Sequence, residues 1–212
     1  MRITLEVIAV TIDDAIAAER GGADRIELIA NVLEGGTTPS PGIIRSVKKA
    51  VSIPVYAMIR PHGGGFVYSE LEVEAMVEDA RLAREAGADG IVVGALQPDG
   101  SLDVETLRRV MEAAQLPVTF HRAFDTLTEE RMFEVLDQLK GMGVERVLTS
   151  GGKPNSYEGR DVIARLVRHG GPCIMAGGGI VLEGLAELVA WTGIREVHVG
   201  RPLGKGIGPR RP

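Results

Sequence analysis

The feature that most constrains this chain is a repeat. Short apolar runs rich in Ile, Val and Leu alternate, along the whole length, with amphipathic stretches rich in Ala, Glu and Arg. Strands are expected near 2–8, 24–29, 54–59, 89–93, 117–121, 145–149, 172–176 and 195–199, and helices near 12–21, 41–50, 70–86, 103–114, 128–141, 157–169 and 182–191. Strands separated by helices must run parallel, because a parallel pair needs a long crossover. Eight such strands match a closed (β/α)8 barrel, the TIM-barrel architecture, better than an open doubly wound sheet. The open sheet also calls for a glycine-rich first turn, and Ala9-Val10-Thr11 has no glycine. One domain over residues 1–212 is expected. Only residues 201–212 follow the last strand, too few for a full eighth helix, so that helix is read as truncated or absent.

Punctuation supports the same register. Gly21-Gly22, Gly87, Gly141 to Gly143 and Gly193 close helices just before strands, where glycine takes up the left-handed cap. Thr11, Ser69 and Thr128 stand before acidic first turns and are read as N-caps. Aromatic residues are only 4% of the chain, so its core is aliphatic. The formal charge of −5 gives no electrostatic reason to expect nucleic acid or an anionic membrane as partner. No apolar run approaches the roughly 18 residues of a membrane span, and no signal peptide is expected. A single cysteine, Cys173, rules out a disulfide framework within the chain and fits a reducing compartment.

Alternation along the strands carries the functional information. Successive side chains point to opposite faces, and the apolar set of each strand is required by the helices. That leaves Glu6, Glu27, Arg60, His121 and His198 pointing into the barrel, as do Arg25 and Glu196. Buried charges must pair with one another or with a guest. Glu6 and Glu27 sit on neighbouring strands, with Arg60 as the candidate cation between them. The two readings are a charge network that plugs the barrel and a catalytic cluster near the strand C-termini, where barrels of this kind place their sites. The loops above the strands are polar: Asn31 to Ser40, Arg60 to Ser69, and His121-Arg122-Ala123-Phe124-Asp125, in which Arg122 and Asp125 can also pair with each other. Ser150, Gly151 and Gly152 after strand six, with Gly177, Gly178 and Gly179 after strand seven, form candidate anion-binding loops together with Arg122 and Asp125. Cys173, in an apolar strand, is read as an inert core residue, and His169 as a helix C-terminal cation.

Taken together, NVLEGGTTPS at 31–40, MIRPHGGGF at 58–66, TFHRAFD at 119–125, LTSGG at 148–152 and GGG at 177–179 resemble the CutC family, named for copper homeostasis. The resemblance implies a (β/α)8 barrel, a cytoplasmic location, a dimer or higher homo-oligomer, and copper binding. Two cysteines common in that family correspond here to Ile8 and Ile29, and its Arg-Gly-Gly-Asp lid sequence corresponds to His62-Gly63-Gly64-Gly65. Cu(I) favours sulfur ligands, so the metal ligands and the cofactor stay unknown, with Met58, His121 and His198 the remaining candidates. Two functions stand side by side. One is a metal-handling protein. The other is an enzyme acting on a small anionic molecule, phosphorylated ones included, with Glu6 or Glu27 as base, His121 or His198 as proton donor, and Arg60 and Arg122 holding the anion.

Overall fold

A computed structural model describes residues 2–200. Eight strands close into a parallel barrel in sequence order: β1 (Thr4–Ala9), β2 (Arg25–Leu28), β3 (Val55–Met58), β4 (Gly90–Val93), β5 (Val118–Phe120), β6 (Arg146–Thr149), β7 (Cys173–Gly177) and β8 (Glu196–Val199). β8 pairs with β1 to complete the ring, with Glu6 level with His198. Seven helices cover the outside: α1 (Ile12–Arg20), α2 (Pro41–Ala50), α3 (Glu70–Glu85), α4 (Val104–Ala114), α5 (Glu129–Gly141), α6 (Arg160–His169) and α7 (Leu185–Thr192). The (β/α)8 expectation holds. The place expected for an eighth helix falls on residues 201–212, outside the described residues.

The caps form as the sequence requires. Thr11 Oγ1 accepts the Asp14 N–H at 3.1 Å while Asp14 reaches back to the Thr11 N–H, and Ser69 with Glu72 repeats this reciprocal box on α3. Thr128 and Ser40 cap α5 and α2, and Pro41 occupies the first turn of α2, where its missing N–H has no partner to lose. Two helices begin later than expected. Before α6, Asn155 Oδ1 accepts from the N–H groups of Tyr157 and Glu158, which holds that stretch in a turn. Before α7, Gly184 is left-handed (φ 84°), and the helix starts only after it.

The large core lies between barrel and helices, where Ile26, Leu28, Ile91, Phe120, Val147 and Val197 are at most 1% exposed. Each such side chain contributes about 1.5–3 kcal/mol by leaving water. Phe120 and Phe124 meet edge to face at 6.5 Å between centroids. Inside the barrel the apolar cluster is much smaller: Ile29, Tyr56, Met58 and Val92, with Ile8 and Val10 packed on it. Most of the remaining interior side chains are charged or polar, with Met175 and Leu148 among them. Among the described residues no helix is long and apolar enough to cross a membrane.

Candidate functional site

The interior charges separate into two levels. Low in the barrel, Arg25 donates from Nε to Glu6 Oε2 and from Nη2 to Glu196 Oε2, both at 2.5 Å, and Arg146 Nε adds a contact of 3.1 Å to Glu196. Both guanidinium groups lie over the Tyr56 ring, at 5.2 and 5.1 Å. This is a satisfied plug of alternating charge. Arg25, Arg146 and Glu196 were not singled out as site residues by the sequence, although parity already turned Arg25 and Glu196 inward. Cys173 stands at the start of β7, partly buried, with burial and the neighbouring Glu196 pushing its thiol up to about 11. The shift favours the neutral thiol, and the residue stands at the edge of the charged plug and not within an apolar core.

Above the plug, Glu6 is fully engaged. Its Oε1 accepts from His198 Nδ1 at 2.8 Å. Burial pushes the Glu6 carboxyl up, but His198 and Arg25 outweigh it and hold the group at about 2. The cation that balances Glu6 is therefore Arg25, aided by His198, and not Arg60 as the sequence reading had it. The reason is register: Arg25 is the cross-strand partner of Glu6, whereas Arg60 lies past the end of β3. Arg60 instead donates from Nη1 to the carbonyls of Glu34 (3.0 Å) and Gly36 (3.1 Å), and from Nη2 to that of Gly64 (2.7 Å). It thereby ties the β2–α2 and β3–α3 loops together.

Glu27 is the exception among the carboxylates. It is 2% exposed, its Oε1 has no hydrogen-bond partner, and its Oε2 stands 3.7 Å from His198 Nε2, beyond a hydrogen bond. Burial pushes its carboxyl up to about 7; His198 opposes this and Glu6 adds to it. His198, for its part, is shifted upward by Glu27 and Glu6 against the opposing effect of burial. The imidazole between the two carboxylates therefore favours its protonated form.

His121 follows β5 and is 4% exposed. Its Nδ1 accepts the Ala123 N–H at 3.1 Å, and its Nε2 has no partner. Burial, with Arg60 nearby, drives it down to about 3, so it is a neutral imidazole. A neutral ring that accepts at Nδ1 carries its proton on Nε2. Gly94 makes room for it, since a Cβ there would stand 2.4 Å from His121 Cε1. Nothing in the sequence marks Gly94 for that duty.

Glu27, Arg60, His121, His198, Arg122, Gly178 and Gly179 meet around one cavity of about 830 Å³ at the C-terminal mouth of the barrel. The other expected site residues do not line it. Glu6 lies behind His198. Asp125 Oδ1 accepts from Thr149 Oγ1 (2.5 Å), Ser150 N–H (2.9 Å) and Gly152 N–H (3.0 Å), and its Oδ2 takes Arg122 Nε at 2.7 Å. The Gly151 N–H donates to Thr149 Oγ1 at 2.8 Å, and the Gly177 carbonyl accepts from Ser156 Oγ at 2.9 Å. An anion role for Ser150, Gly151 and Gly152 is thus corrected: the N–H groups of Ser150 and Gly152 are taken by Asp125 of the loop after β5, and that of Gly151 by Thr149. Arg122 keeps a place on the cavity, donating to Ser150 Oγ at 3.0 Å and lying against Gly178, where a Cβ would come within 3.5 Å of its Cζ. His169, expected as a cation at a helix end, sits at the end of α6 and pairs with Asp137 at 2.9 Å.

Glu6, Glu27 and His198 each offer a ligand atom within 4.8 Å of the others, a spacing that suits a metal ion. The two oxygens of Glu6 are already committed to Arg25 and His198, which leaves Glu27 and one imidazole nitrogen.

The comparisons agree with the barrel fold. The CutC family model matches residues 3–202. A human protein named copper homeostasis protein cutC homolog is 47% identical over 197 residues, covering 92% of this chain and 71% of its own length. A CutC family protein of Salmonella schwarzengrund is 46% identical over 196 residues, 92% of this chain and 78% of its own. The crystal structure of CutC from Streptococcus agalactiae superposes with a TM-score of 0.90 at 33% identity, covering 95% of this chain and all of that one. The chain belongs to the CutC family.

Proposed function

We propose that this protein acts in the copper-homeostasis role for which its relatives are named, through a barrel mouth that binds a small anionic metabolite and transfers protons to and from it, and not through a buried Cu(I) site. The observation that carries this is the unpaired Oε1 of Glu27 on the cavity, on a carboxyl raised to about 7. A carboxyl poised near neutrality in the lining of a cavity is suited to general acid–base work. Of the two candidate bases the geometry favours Glu27, because Glu6 is held ionised with both oxygens occupied. His198 is the proton donor beside it, its ring held in place by the hydrogen bond from Nδ1 to Glu6. His121 is a neutral hydrogen-bond donor that steadies negative charge developing on a ligand oxygen. Arg122 and the loop at Gly178 and Gly179 offer a place for a further anionic group, phosphate included.

The donor set fits Cu(I) poorly. The described sulfur on the cavity is the thioether of Met58, Ile8 and Ile29 present hydrocarbon, and Cys173 starts β7 at the opposite end of the barrel. The oxygen-rich remainder is hard, and Cu(I) is soft. A cytoplasmic setting and a homo-oligomer belong to the same proposal. The lone cysteine supports the first. The exposed apolar residues Val32, Leu33 and Leu182 at the mouth support the second.

The test is a thermal-shift screen of small anionic metabolites and of Cu(I) on the wild type and on Glu27→Gln. A ligand that binds the native state raises the melting temperature. The expected result is an anion whose stabilising effect falls in the variant, with no stoichiometric Cu(I) effect. Stabilisation by Cu(I) alone, equal in both proteins, would overturn the proposal.

A further inference from the structure

We infer that Arg60 and His121 form a carboxylate subsite on the cavity wall, so that the ligand of the proposed acid–base site is a small organic acid. The inference rests on that reading for the ligand's further chemistry, but the subsite stands on its own geometry. Arg60 is 6% exposed and makes no ion pair among the described residues. Three carbonyl oxygens take hydrogen bonds from its two terminal nitrogens, and Nε is left with no partner. Carbonyl dipoles satisfy donors, but they leave the full positive charge without a counter-ion, an arrangement that costs free energy until an anion arrives.

His121 supplies the second donor. Its Nε2–H is buried, faces no acceptor and belongs to a ring that stays neutral. The two groups flank the same aromatic ring: Arg60 Cζ lies 5.0 Å from the Phe66 centroid, and the His121 and Phe66 centroids are 5.0 Å apart. All three line the cavity. The cavity lining therefore holds one positive charge without a counter-ion and two buried N–H groups without an acceptor, with the Tyr68 hydroxyl beside Arg60. Hydrogen bonds from ionised donors to a carboxylate are among the strong ones in proteins.

A carboxylate fits this wall better than a phosphate. Two donors match two oxygens, and a phosphate would leave further oxygens without partners. The glycines of the other anion-binding candidate, Gly178 and Gly179, follow β7 and lie against Arg122. A small acid held at Arg60 and His121 turns the rest of its skeleton towards the open space that Glu27 and His198 also face.

The experiment uses the full chain with 15N-labelled imidazoles, titrated at constant ionic strength with glycolate, oxalate and, for comparison, inorganic phosphate. The His121 Nε2–H signal is assigned by its loss in His121→Asn, in which the side-chain oxygen can still accept from Ala123. The expected result is a saturable shift of that signal with glycolate or oxalate and a much weaker response to phosphate. Arg60→Lys should weaken carboxylate binding by roughly tenfold or more, as expected for a charged hydrogen bond. Absence of a saturable carboxylate shift, an equal response to phosphate, or unchanged affinity in Arg60→Lys would overturn the inference. If Arg60→Lys fails to fold, calorimetry on His121→Asn decides: lost carboxylate affinity supports the subsite, and retained affinity refutes it. A carboxyl titration of Glu27 separates the two proposals. Carboxylate binding beside an ordinary Glu27 removes the acid–base reading alone, and a Glu27 titrating near neutrality without carboxylate binding removes the subsite alone.

Discussion

Replacing Glu27 by Gln should change how stability depends on pH. In the native state the carboxyl is raised from its ordinary 4.5 to about 7 because burial disfavours the charge. A group whose native pKa is raised binds its proton more tightly when folded. Its contribution to stability is therefore greatest at low pH and is lost as pH rises through the native value. Across pH 5.5 to 8.5 these two values give a loss of about 2 kcal/mol from Glu27 in the wild type. The Gln variant keeps the shape and has no proton to lose. His198 acts in the same direction: its raised native pKa gives stability below 6.5 that fades at higher pH, and part of that rise comes from Glu27. It thus widens the difference between the two proteins and does not cancel it. The assay is urea denaturation of both at pH 5.5 and 8.5. The stability gap should move in favour of Glu27→Gln by about 2 kcal/mol at the higher pH. A gap that is the same at both pH values would refute the claim that Glu27 is buried without a partner.

Other variants test the surrounding structure. Glu6→Gln breaks the buried contacts to Arg25 and His198 and should cost about 3–5 kcal/mol in denaturation; a loss near zero would show that the network carries no such weight. Gly94→Ala places a methyl 2.4 Å from the His121 ring, so it should destabilise by about 1–3 kcal/mol and move the His121 NMR signals; an unshifted imidazole would contradict the packing. Asp125→Ala removes the acceptor for Thr149, Ser150 and Gly152 and should cost about 2–3 kcal/mol; hydrogen exchange at Ser150 and Gly152 should quicken, and unchanged protection would argue against this role. In competition with a chelator, Cu(I) should find no tight stoichiometric site, and a one-to-one complex would count against the proposed function.

The sequence exposed parity well and height poorly. Strands covered by helices on one side and filled by side chains on the other must alternate, so the inward direction of Glu6, Glu27 and His198 followed from their apolar neighbours. What alternation does not carry is the stagger between strands. Glu6 stands level with Arg25 and not with Glu27, so the ion pairs were assigned to the wrong arginine. Arg60 and His121 fall just after their strands, in a stretch where a shift of one or two residues decides between an interior plug and a cavity wall. Glycine-rich loops were visible, but whether their N–H groups were free was not. That depended on Asp125, a residue on a different loop that takes two of them.

The most direct test of the acid–base site is a 13C NMR titration of the glutamate side-chain carboxyls, with the Glu27 signal assigned by its loss in Glu27→Gln. A midpoint near 7 for Glu27, with Glu6 still ionised at pH 4, is the result predicted here. A Glu27 midpoint near the ordinary 4.5 would mean that the carboxyl is solvated or paired, and the proposed chemistry would have no base.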